Sequence, residues 1–331
     1  MKRARITGMG HYVPERVVTN KELEQHMDTS HEWIVERTGI EERRWITEGE
    51  TVHGMGIKAA EMAIERAGID PETIDLVICA SVISDYLLPG SASQIQQHFC
   101  TPGTPAMDIR NACSGFIYAL SVADQFIKTG MYETILVVGS EIQSTSLDLS
   151  TRGRDTAVIF ADGAGAVVVQ AGDGDGPGIL TTKLHADGTF ADKLVVKKPS
   201  PGHRPRIYPE LLDDPDIFPH MEGRYVFKHA VTRFPEVIQE ALEETGYSVA
   251  DLDLFIPHQA NLRISEAVGQ RLGMAPEKVF SNIQRYGNTT AATIPICLSE
   301  AFEQGMLGDD KLVVLAAFGA GFTWASALIR F

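Results

Sequence analysis

The length, composition and charge of this chain exclude several classes of protein. With 331 residues, 44% of them hydrophobic, the chain is long enough to bury one large core or two fused cores. Its formal net charge of -15 disfavours a nucleic-acid partner, because contacts to phosphate need a basic surface. The four cysteines have neither CxxC nor zinc-ligand spacing, so the sequence predicts no disulfide framework and no metal site.

The first half of the chain alternates short apolar strands with amphipathic helices. The pattern predicts a helix from Val52 to Ala67, ended by Gly68, and a buried helix from Phe116 to Ile127. Cys113 lies just before the second helix, so its thiol would sit at a helix N-terminus, where the pKa of a thiol falls below its usual value of about 8.5. Cys113 is therefore a candidate nucleophile, although a cysteine is more often a small core side chain.

The N-terminal residues lack the apolar run of a secretion signal, and we expect a cytoplasmic protein.

One irregular segment, Lys197 to Gly223, interrupts this alternation and contains six prolines. Such a segment can form neither a regular helix nor a central strand. We interpret it as a long surface excursion over the site. Its histidines and aspartates lack the spacing of metal ligands, so they predict no metal centre.

The second half resumes the alternation of helices and strands. A helix is predicted from Phe234 to Thr245, and His258 follows the next apolar strand. The run from Leu312 to Ile329 has no charged residue over 18 positions, which raises the question of a transmembrane helix. Two glycines divide this run into two short segments typical of paired buried strands.

The two halves of the chain look duplicated. Gly130 follows Cys113 by 17 residues (130 minus 113), and Gly305 follows Asn288 by 17 residues (305 minus 288). An apolar strand comes next in both cases, and glycine-rich hairpins close both halves. These repeats predict two similar α/β units related by a pseudo-twofold axis. Cys113 and Asn288 would then occupy equivalent helix starts, with His258 at the carboxyl end of a core strand.

Cys113, His258 and Asn288 together fit one kind of chemistry. A thiolate that has accepted an acyl group can be attacked by a carbanion, and decarboxylation of a malonyl thioester supplies that carbanion. The resulting enolate oxygen needs hydrogen-bond donors in a dry pocket, which a histidine and an asparagine provide. A Cys-His-Asp hydrolase is the competing use of such residues, but no carboxylate lies beside His258 in the sequence. Taken alone, His258 could equally be a core histidine and Asn288 a turn residue.

Motifs spread over nearly the whole chain resemble the β-ketoacyl-acyl-carrier-protein synthase III family, which initiates type II fatty acid synthesis and lies within the thiolase superfamily. The motifs that carry the resemblance are Asp28 to Ile34, Arg37 to Ile40, Gln94 to Gln96, Arg110 to Phe116, Asp162 to Ala166, Pro257 to Arg263, Gly287 to Thr289 and Phe318 to Trp324. The resemblance implies a thiolase-like α/β fold, with two duplicated βαβαβαββ halves in five α-β-α-β-α layers. The halves would be residues 1–172, carrying the nucleophilic cysteine, and residues 173–331, carrying the histidine, the asparagine and the excursion at 197–223.

The resemblance also implies roles for individual residues. Cys113 would be acylated, and His258 and Asn288 would bind the malonyl thioester oxygen during decarboxylation. The backbone N–H groups of Cys113 and Ala320 would hold the oxyanion of the acyl thioester. Coenzyme A would be a substrate rather than a resident cofactor, so no cofactor is expected. Its implied contacts are Trp33, Arg37, Arg152, Gly223, Phe227, Ala260 and Asn261. Without the resemblance, the tryptophan and the arginines would be interpreted as packed or ion-paired surface residues.

The expected partners are an acyl-CoA primer, malonyl-acyl carrier protein and a second copy of the chain. Acyl carrier protein is acidic, so a chain of net charge -15 must offer it a local basic area. The family pattern places that area at Lys228, Arg263 and Arg271, and the cations of the excursion could extend it. Leu88 matches a position that closes the acyl pocket across the dimer interface. Because leucine leaves flexible volume there, acetyl, branched and medium-chain primers all stay open.

Two other functions compete with this interpretation. One is a related condensing enzyme or acyltransferase of a specialised lipid or secondary-metabolite pathway. The other is a non-catalytic partner subunit that keeps the fold for dimerisation. A complete set of cysteine, histidine and asparagine favours decarboxylating condensation over simple acyl transfer and over a non-catalytic subunit, while a specialised condensation stays open.

Overall fold

The computed structural model describes residues 2–308 and 310–331. Strands dominate its centre. They are, in chain order, β1 (Arg3–Tyr12), β2 (Val17–Thr19), β3 (Glu42–Arg44), β4 (Leu76–Ala80), β5 (Ala106–Ile109), β6 (Thr134–Glu141), β7 (Gly163–Gly172), β8 (Gly178–Ala186), β9 (Leu194–Val195), β10 (His220–Met221), β11 (Leu254–Pro257), β12 (Leu312–Gly319) and β13 (Thr323–Arg330).

Helices connect and cover these strands. They are α1 (Asn20–Leu23), α2 (His31–Thr38), α3 (Val52–Ala67), α4 (Ser91–Phe99), α5 (Gly115–Thr129), α6 (Arg154–Ala157), α7 (Gly223–Thr245), α8 (Leu262–Leu272), α9 (Ile283–Tyr286) and α10 (Thr293–Glu303). Several begin and end at the residues that their sequences favour. In α3, the Thr51 hydroxyl accepts a hydrogen bond from the N–H of Gly54, and Gly68 ends the helix with a φ of 65°.

Two mixed sheets form the core of the molecule. The first has the order β1-β7-β6-β4-β5, with β4 parallel to both of its neighbours. The second has the order β11-β12-β13-β8, with β11 and β12 parallel. The uncharged run from Leu312 to Ile329 forms the antiparallel pair β12 and β13, as its glycines predict. No helix in the described residues is long and apolar enough to cross a membrane.

Helices pack on both sides of each sheet. Helix α3 covers one face of the first sheet, and α7 covers one face of the second. Helices α5 and α10 lie between the sheets and contact strands of both. The order of layers is therefore helix, sheet, helix, sheet, helix, which is the fold class that the family resemblance implies. The chain passes from the first sheet to the second between β7 and β8, and the proposed division at residue 172 stays a prediction.

Helix α7 is longer than its sequence pattern indicates. The expected start at Phe234 is wrong, because the helix begins at Gly223 and continues through Pro235. A proline has no N–H for the carbonyl four residues earlier, which here belongs to Val231. The Arg271 guanidinium of α8 donates to that carbonyl, with an Nη1–O distance of 3.1 Å. A neighbouring helix thus replaces the hydrogen bond that Pro235 removes.

This replacement can be measured in a double-mutant cycle. We expect Arg271→Ala to lower the free energy of unfolding by about 1 kcal/mol, because the Val231 carbonyl loses a charged donor. In a Pro235→Ala background residue 235 supplies its own N–H, and the cost of Arg271→Ala should fall to nearly zero. Urea denaturation of the four proteins gives the coupling energy. Arg263→Ala, on the same helix, is the control, and an equal cost in both backgrounds would contradict the role given to Arg271.

Candidate active site

Cys113 lies in a short 3₁₀ turn, Ala112–Ser114, that leads directly into α5. The thiol is 6% exposed and faces the end of β12. A Cβ added to Gly319 would lie only 2.7 Å from the Cβ of Cys113, so this approach requires a glycine. The predicted position of Cys113 at the start of a buried helix is correct.

The protonation state of Cys113 differs from the sequence-based expectation. Burial raises the pKa of the thiol to about 12, although the backbone N–H groups of Cys113 and Ala320 act in the opposite direction. The expectation of a lowered pKa is therefore wrong for the free protein. Removing the thiolate from water costs more than the helix N-terminus and two N–H groups return. The resting side chain is therefore a thiol, which would have to lose its proton in order to act as a nucleophile.

His258 follows the carboxyl end of β11, and its backbone N–H donates to the Ala316 carbonyl of β12. Burial lowers the pKa of this imidazole to about 3, so the ring is neutral. Its Nδ1 lies 2.7 Å from the hydroxyl oxygen of Thr293. Its buried Nε2 has no hydrogen-bond partner among the described residues. Since a hydroxyl, and not a carboxylate, contacts Nδ1, the residues do not form a hydrolase triad.

Asn288 is fixed by its backbone and by its amide oxygen. Its N–H donates to Ile159 at 2.9 Å, and its carbonyl accepts from Ala161 at 3.0 Å. The preceding Gly287 has a φ of 62°, which a glycine adopts without strain. The amide Oδ1 accepts from the N–H of Thr290 at 2.8 Å. The amide Nδ2 is therefore the end of the side chain that is available to a ligand.

One cavity of about 650 Å³ brings most of the predicted site together. Its lining includes the buried residues Cys113, His258 and Asn288, together with Trp33, Arg37, Gly223, Phe227, Ala260, Asn261 and Arg263. Five residues of the predicted set lie outside its lining: Leu88, Arg152, Lys228, Arg271 and Ala320. Ala320 is nevertheless next to the thiol, because its N–H acts on the pKa of Cys113.

Two arginine guanidinium groups lie against the ring of Trp33, which lines the cavity. The Arg37 guanidinium lies 4.6 Å from the centre of the Trp33 ring, and that of Arg154 lies 4.4 Å from it. Sequence reasoning missed Arg154, and it also missed Arg224, which lines the cavity. Arg152 instead donates to the Asp148 carboxylate at 2.6 Å and lies 5.8 Å from the Phe218 ring of the excursion.

The predicted carrier-docking residues are exposed on helices α7 and α8. Within the described residues, none of Lys228, Arg263 and Arg271 forms an ion pair with a carboxylate. The lysines of the excursion are different, because Lys197 pairs with Asp216 and Lys198 pairs with Asp214. No group of three or more possible metal ligands occurs in residues 2–308 and 310–331.

In this single chain, Leu88 lies on the surface and outside the lining of the cavity that holds the thiol. Its side chain is 87% exposed, and the adjacent Leu87 and Tyr86 are 83% and 57% exposed. Ile83, at 38%, extends the same patch. Three neighbouring apolar side chains at this exposure are unusual for a surface that faces only water.

Comparisons with known proteins agree along the whole chain. Two family models match: 3-oxoacyl-[acyl-carrier-protein (ACP)] synthase III over residues 107–188, and its C-terminal counterpart over residues 242–331. A β-ketoacyl-[acyl-carrier-protein] synthase III of Vibrio vulnificus is 46% identical, and one of Escherichia coli is 45% identical, each over 99% of both chains. The crystal structure of 3-oxoacyl-[acyl-carrier-protein] synthase III from Aquifex aeolicus is 42% identical, with a TM-score of 0.91 over 99% of this chain and 100% of that one.

The raised pKa of Cys113 predicts its behaviour toward alkylating agents. In the free protein, the rate of alkylation by iodoacetamide should rise with pH without a plateau up to about pH 10, because the thiolate fraction keeps growing. Intact mass spectrometry follows the modification. Cys113→Ala is the control for Cys100, which is partly exposed. A plateau near neutral pH would show a preformed thiolate and contradict the prediction.

Proposed function

This chain belongs to the 3-oxoacyl-[acyl-carrier-protein] synthase III family, and we propose that it joins an acyl-CoA primer to malonyl-acyl carrier protein with loss of CO₂. The products are 3-oxoacyl-acyl carrier protein and free CoA, and the reaction initiates fatty acid synthesis. One observation carries the proposal at the level of chemistry: Cys113, His258 and Asn288 line the same cavity.

The first half-reaction transfers the primer to Cys113. The thiol loses its proton as the sulfur attacks the thioester carbonyl of acyl-CoA, and a neutral His258 can accept that proton. The oxyanion that forms would be bound by the backbone N–H groups of Cys113 and Ala320. Each such donor is typically worth about 3 kcal/mol in the transition state. The bond to the CoA sulfur then breaks, and CoA leaves as a thiol.

The second half-reaction uses the malonyl group. The bond between its carboxylate and its methylene carbon breaks, CO₂ leaves, and the electron pair forms an enolate. The Asn288 amide and the His258 imidazole would bind the enolate oxygen, and both groups are uncharged in the free protein. The carbanion carbon then attacks the acyl carbon on Cys113, and the sulfur leaves and regains a proton. Burial strengthens these interactions because it excludes water.

Coenzyme A would enter along the cavity. Gly223, Phe227, Ala260 and Asn261 line it and would contact the pantetheine arm, while Trp33 and Arg37 would contact the nucleotide. The cations beside the Trp33 ring would have to share it with adenine or turn toward phosphate, which an arginine binds through its two-pronged guanidinium. Arg152 could join them only by leaving Asp148. We propose no resident cofactor.

Malonyl-acyl carrier protein would dock on the exposed cations Lys228, Arg263 and Arg271. These side chains keep their full charge available, because carboxylates do not pair with them in the described part of the chain. The excursion adds little to this area. Its four lysines and arginines are outnumbered by five aspartates and glutamates, which leaves residues 197–223 with a net charge of -1.

A homodimer would cover the apolar patch of Ile83, Tyr86, Leu87 and Leu88. In that assembly Leu88 would close the acyl pocket of the partner.

The comparisons do not favour the specialised pathway or the non-catalytic subunit, since similarity to the synthase III relatives covers 99% of the chain. A cytoplasmic location stays a prediction.

A single-turnover experiment tests the proposal. The protein is incubated separately with acetyl-, isobutyryl- and octanoyl-CoA, weighed by intact mass spectrometry, and weighed again after addition of malonyl-acyl carrier protein. We expect a mass gain of one acyl group that Cys113→Ala abolishes, followed by its release as 3-oxoacyl carrier. Asn288→Ala should still acylate but discharge about a hundredfold more slowly, because one enolate donor is lost. Acylation that the malonyl carrier never discharges would favour specialised acyl transfer.

Leu88 sets the primer length if it closes the pocket. Leu88→Phe should lower the ratio of kcat/KM for octanoyl-CoA over acetyl-CoA by about tenfold, because a pocket gains about 0.8 kcal/mol for each methylene that it can bury. Steady-state rates with the two primers give the ratio. Leu87→Phe is the matched control, since Leu87 is exposed to a similar degree. An unchanged ratio for the Leu88 variant would remove this residue from the acyl pocket.

A further inference from the structure

A continuous chain of hydrogen bonds links the imidazole of His258 to the turn that carries Asn288. His258 Nδ1 lies 2.7 Å from Thr293 Oγ1, and Thr293 Oγ1 lies 3.1 Å from the carbonyl oxygen of Thr290. The N–H of Thr290 donates to the Asn288 amide oxygen. All four residues are at most 4% exposed, so water does not compete for these bonds.

The two contacts of the Thr293 hydroxyl indicate which ring nitrogen of His258 carries the proton. A hydroxyl has a single hydrogen, and Thr293 has two short contacts. If that hydrogen points to the Thr290 carbonyl, Thr293 accepts a hydrogen bond from His258 Nδ1–H, and both contacts are bonded. If it pointed to Nδ1, two oxygen atoms 3.1 Å apart would face each other with no hydrogen between them. The first arrangement is therefore the favoured one.

We propose that Thr293 is a positioning residue that holds the proton of neutral His258 on Nδ1 and so presents Nε2 to Cys113 as a proton acceptor. The free Nε2 agrees with this assignment, because it is buried, unpartnered and on the ring that lines the cavity. The inference rests on the proposed function and specifies how its histidine takes part.

The strained backbone of Thr290 supports a dedicated role for this turn. Thr290 has a φ of 53°, in the left-handed region that β-branched residues rarely adopt. This conformation lets its N–H hold the Asn288 amide oxygen while its carbonyl accepts from Thr293. One residue thus orients both side chains that face the thioester, and strain of this kind persists where the surrounding structure requires it.

The proton balance of both half-reactions follows from this tautomer. In the first, the Cys113 proton moves to His258 Nε2 as the sulfur attacks, and Nε2 passes it to the departing CoA sulfur. In the second, a solvent proton enters at Nε2 with the malonyl carboxylate, whose negative charge favours an imidazolium. That N–H donates to the enolate oxygen and finally returns the proton to the Cys113 sulfur. Nδ1–H stays on Thr293 throughout, and one proton is consumed for each CO₂ released.

Replacing the hydroxyl separates the two half-reactions. In Thr293→Val, Nδ1–H would be a buried donor without an acceptor, so the neutral ring should place its proton on Nε2, which faces the cavity. Acylation of Cys113 by acetyl-CoA should then slow by about tenfold or more, the usual cost of an unsatisfied buried donor. Discharge of preloaded acyl-protein by malonyl-acyl carrier protein should change by less than about threefold, because the neutral ring of the variant already offers Nε2–H to the enolate oxygen, and the Cys113 sulfur then takes the one consumed proton from solvent. Thr293→Ser keeps the hydroxyl and should restore acylation.

A second readout reports the tautomer without any activity. The ¹⁵N chemical shifts of the His258 ring, assigned by difference from His258→Ala, should show the proton on Nδ1 in the unmodified protein and in Thr293→Ser, and on Nε2 in Thr293→Val. Equal slowing of both half-reactions, no slowing, or an Nε2 proton in the unmodified protein would each overturn the role of Thr293. If the unmodified protein neither acylates nor discharges, the proposed function itself fails, and the ring shifts still test the tautomer.

Discussion

Removal of water from Cys113 and His258 is the constraint on which the rest of the site depends. Burial acts on the two groups in the same sense: it holds the thiol protonated and the imidazole neutral. An ion pair between them would need two charges without solvent, which costs more than their attraction returns. In the proposed reaction, the nucleophilic thiolate would therefore arise only when a thioester arrives to be attacked. A neutral thiol is also less reactive toward oxidants and other electrophiles between turnovers.

The fold creates this dry site by bringing backbone segments unusually close together. The turns at the starts of α5 and α10 contact each other between the two sheets. Gly319 at the end of β12 touches Cys113, where any side chain would collide with it. The residues just before Cys113 and just after Thr289 both have positive φ values, 44° at Ala112 and 53° at Thr290. Close packing and local strain thus position groups that loose packing would leave hydrated.

Periodicity and glycine caps predicted individual helices and strands, because they report local structure, whereas the five-layer arrangement and most of the cavity residues followed from the family resemblance. Apolar strands ended by glycine identified β12 and β13, and the position of Cys113 before an apolar run identified α5. Interactions between segments that are distant in the chain could not be predicted from the sequence. Nothing in the sequence pairs His258 with Thr293, 35 positions later, and a threonine near a helix start is an ordinary cap. The predicted helix start at Phe234 was also wrong, and the donor that replaces the N–H missing at Pro235, Arg271, lies on another helix. The direction in which the pKa of Cys113 shifts could not be predicted either, because that direction depends on how deeply the fold buries the thiol.

The charge of the chain illustrates the difference between a global and a local property. A net charge of -15 opposes the approach of an acidic carrier only through the part of the field that salt does not screen. At physiological ionic strength the screening length of the solution is about 8 Å, which is shorter than the distance across one face of a domain. What the carrier meets is therefore decided by the charges close to the cavity. Arg37, Arg224 and Arg263 line the cavity, and Asp155 is a single carboxylate among the lining residues. The excursion nearby pairs its own lysines with aspartates, so its contribution is shape more than charge. A strongly acidic chain can thus keep a basic entrance for phosphates and for an acidic protein.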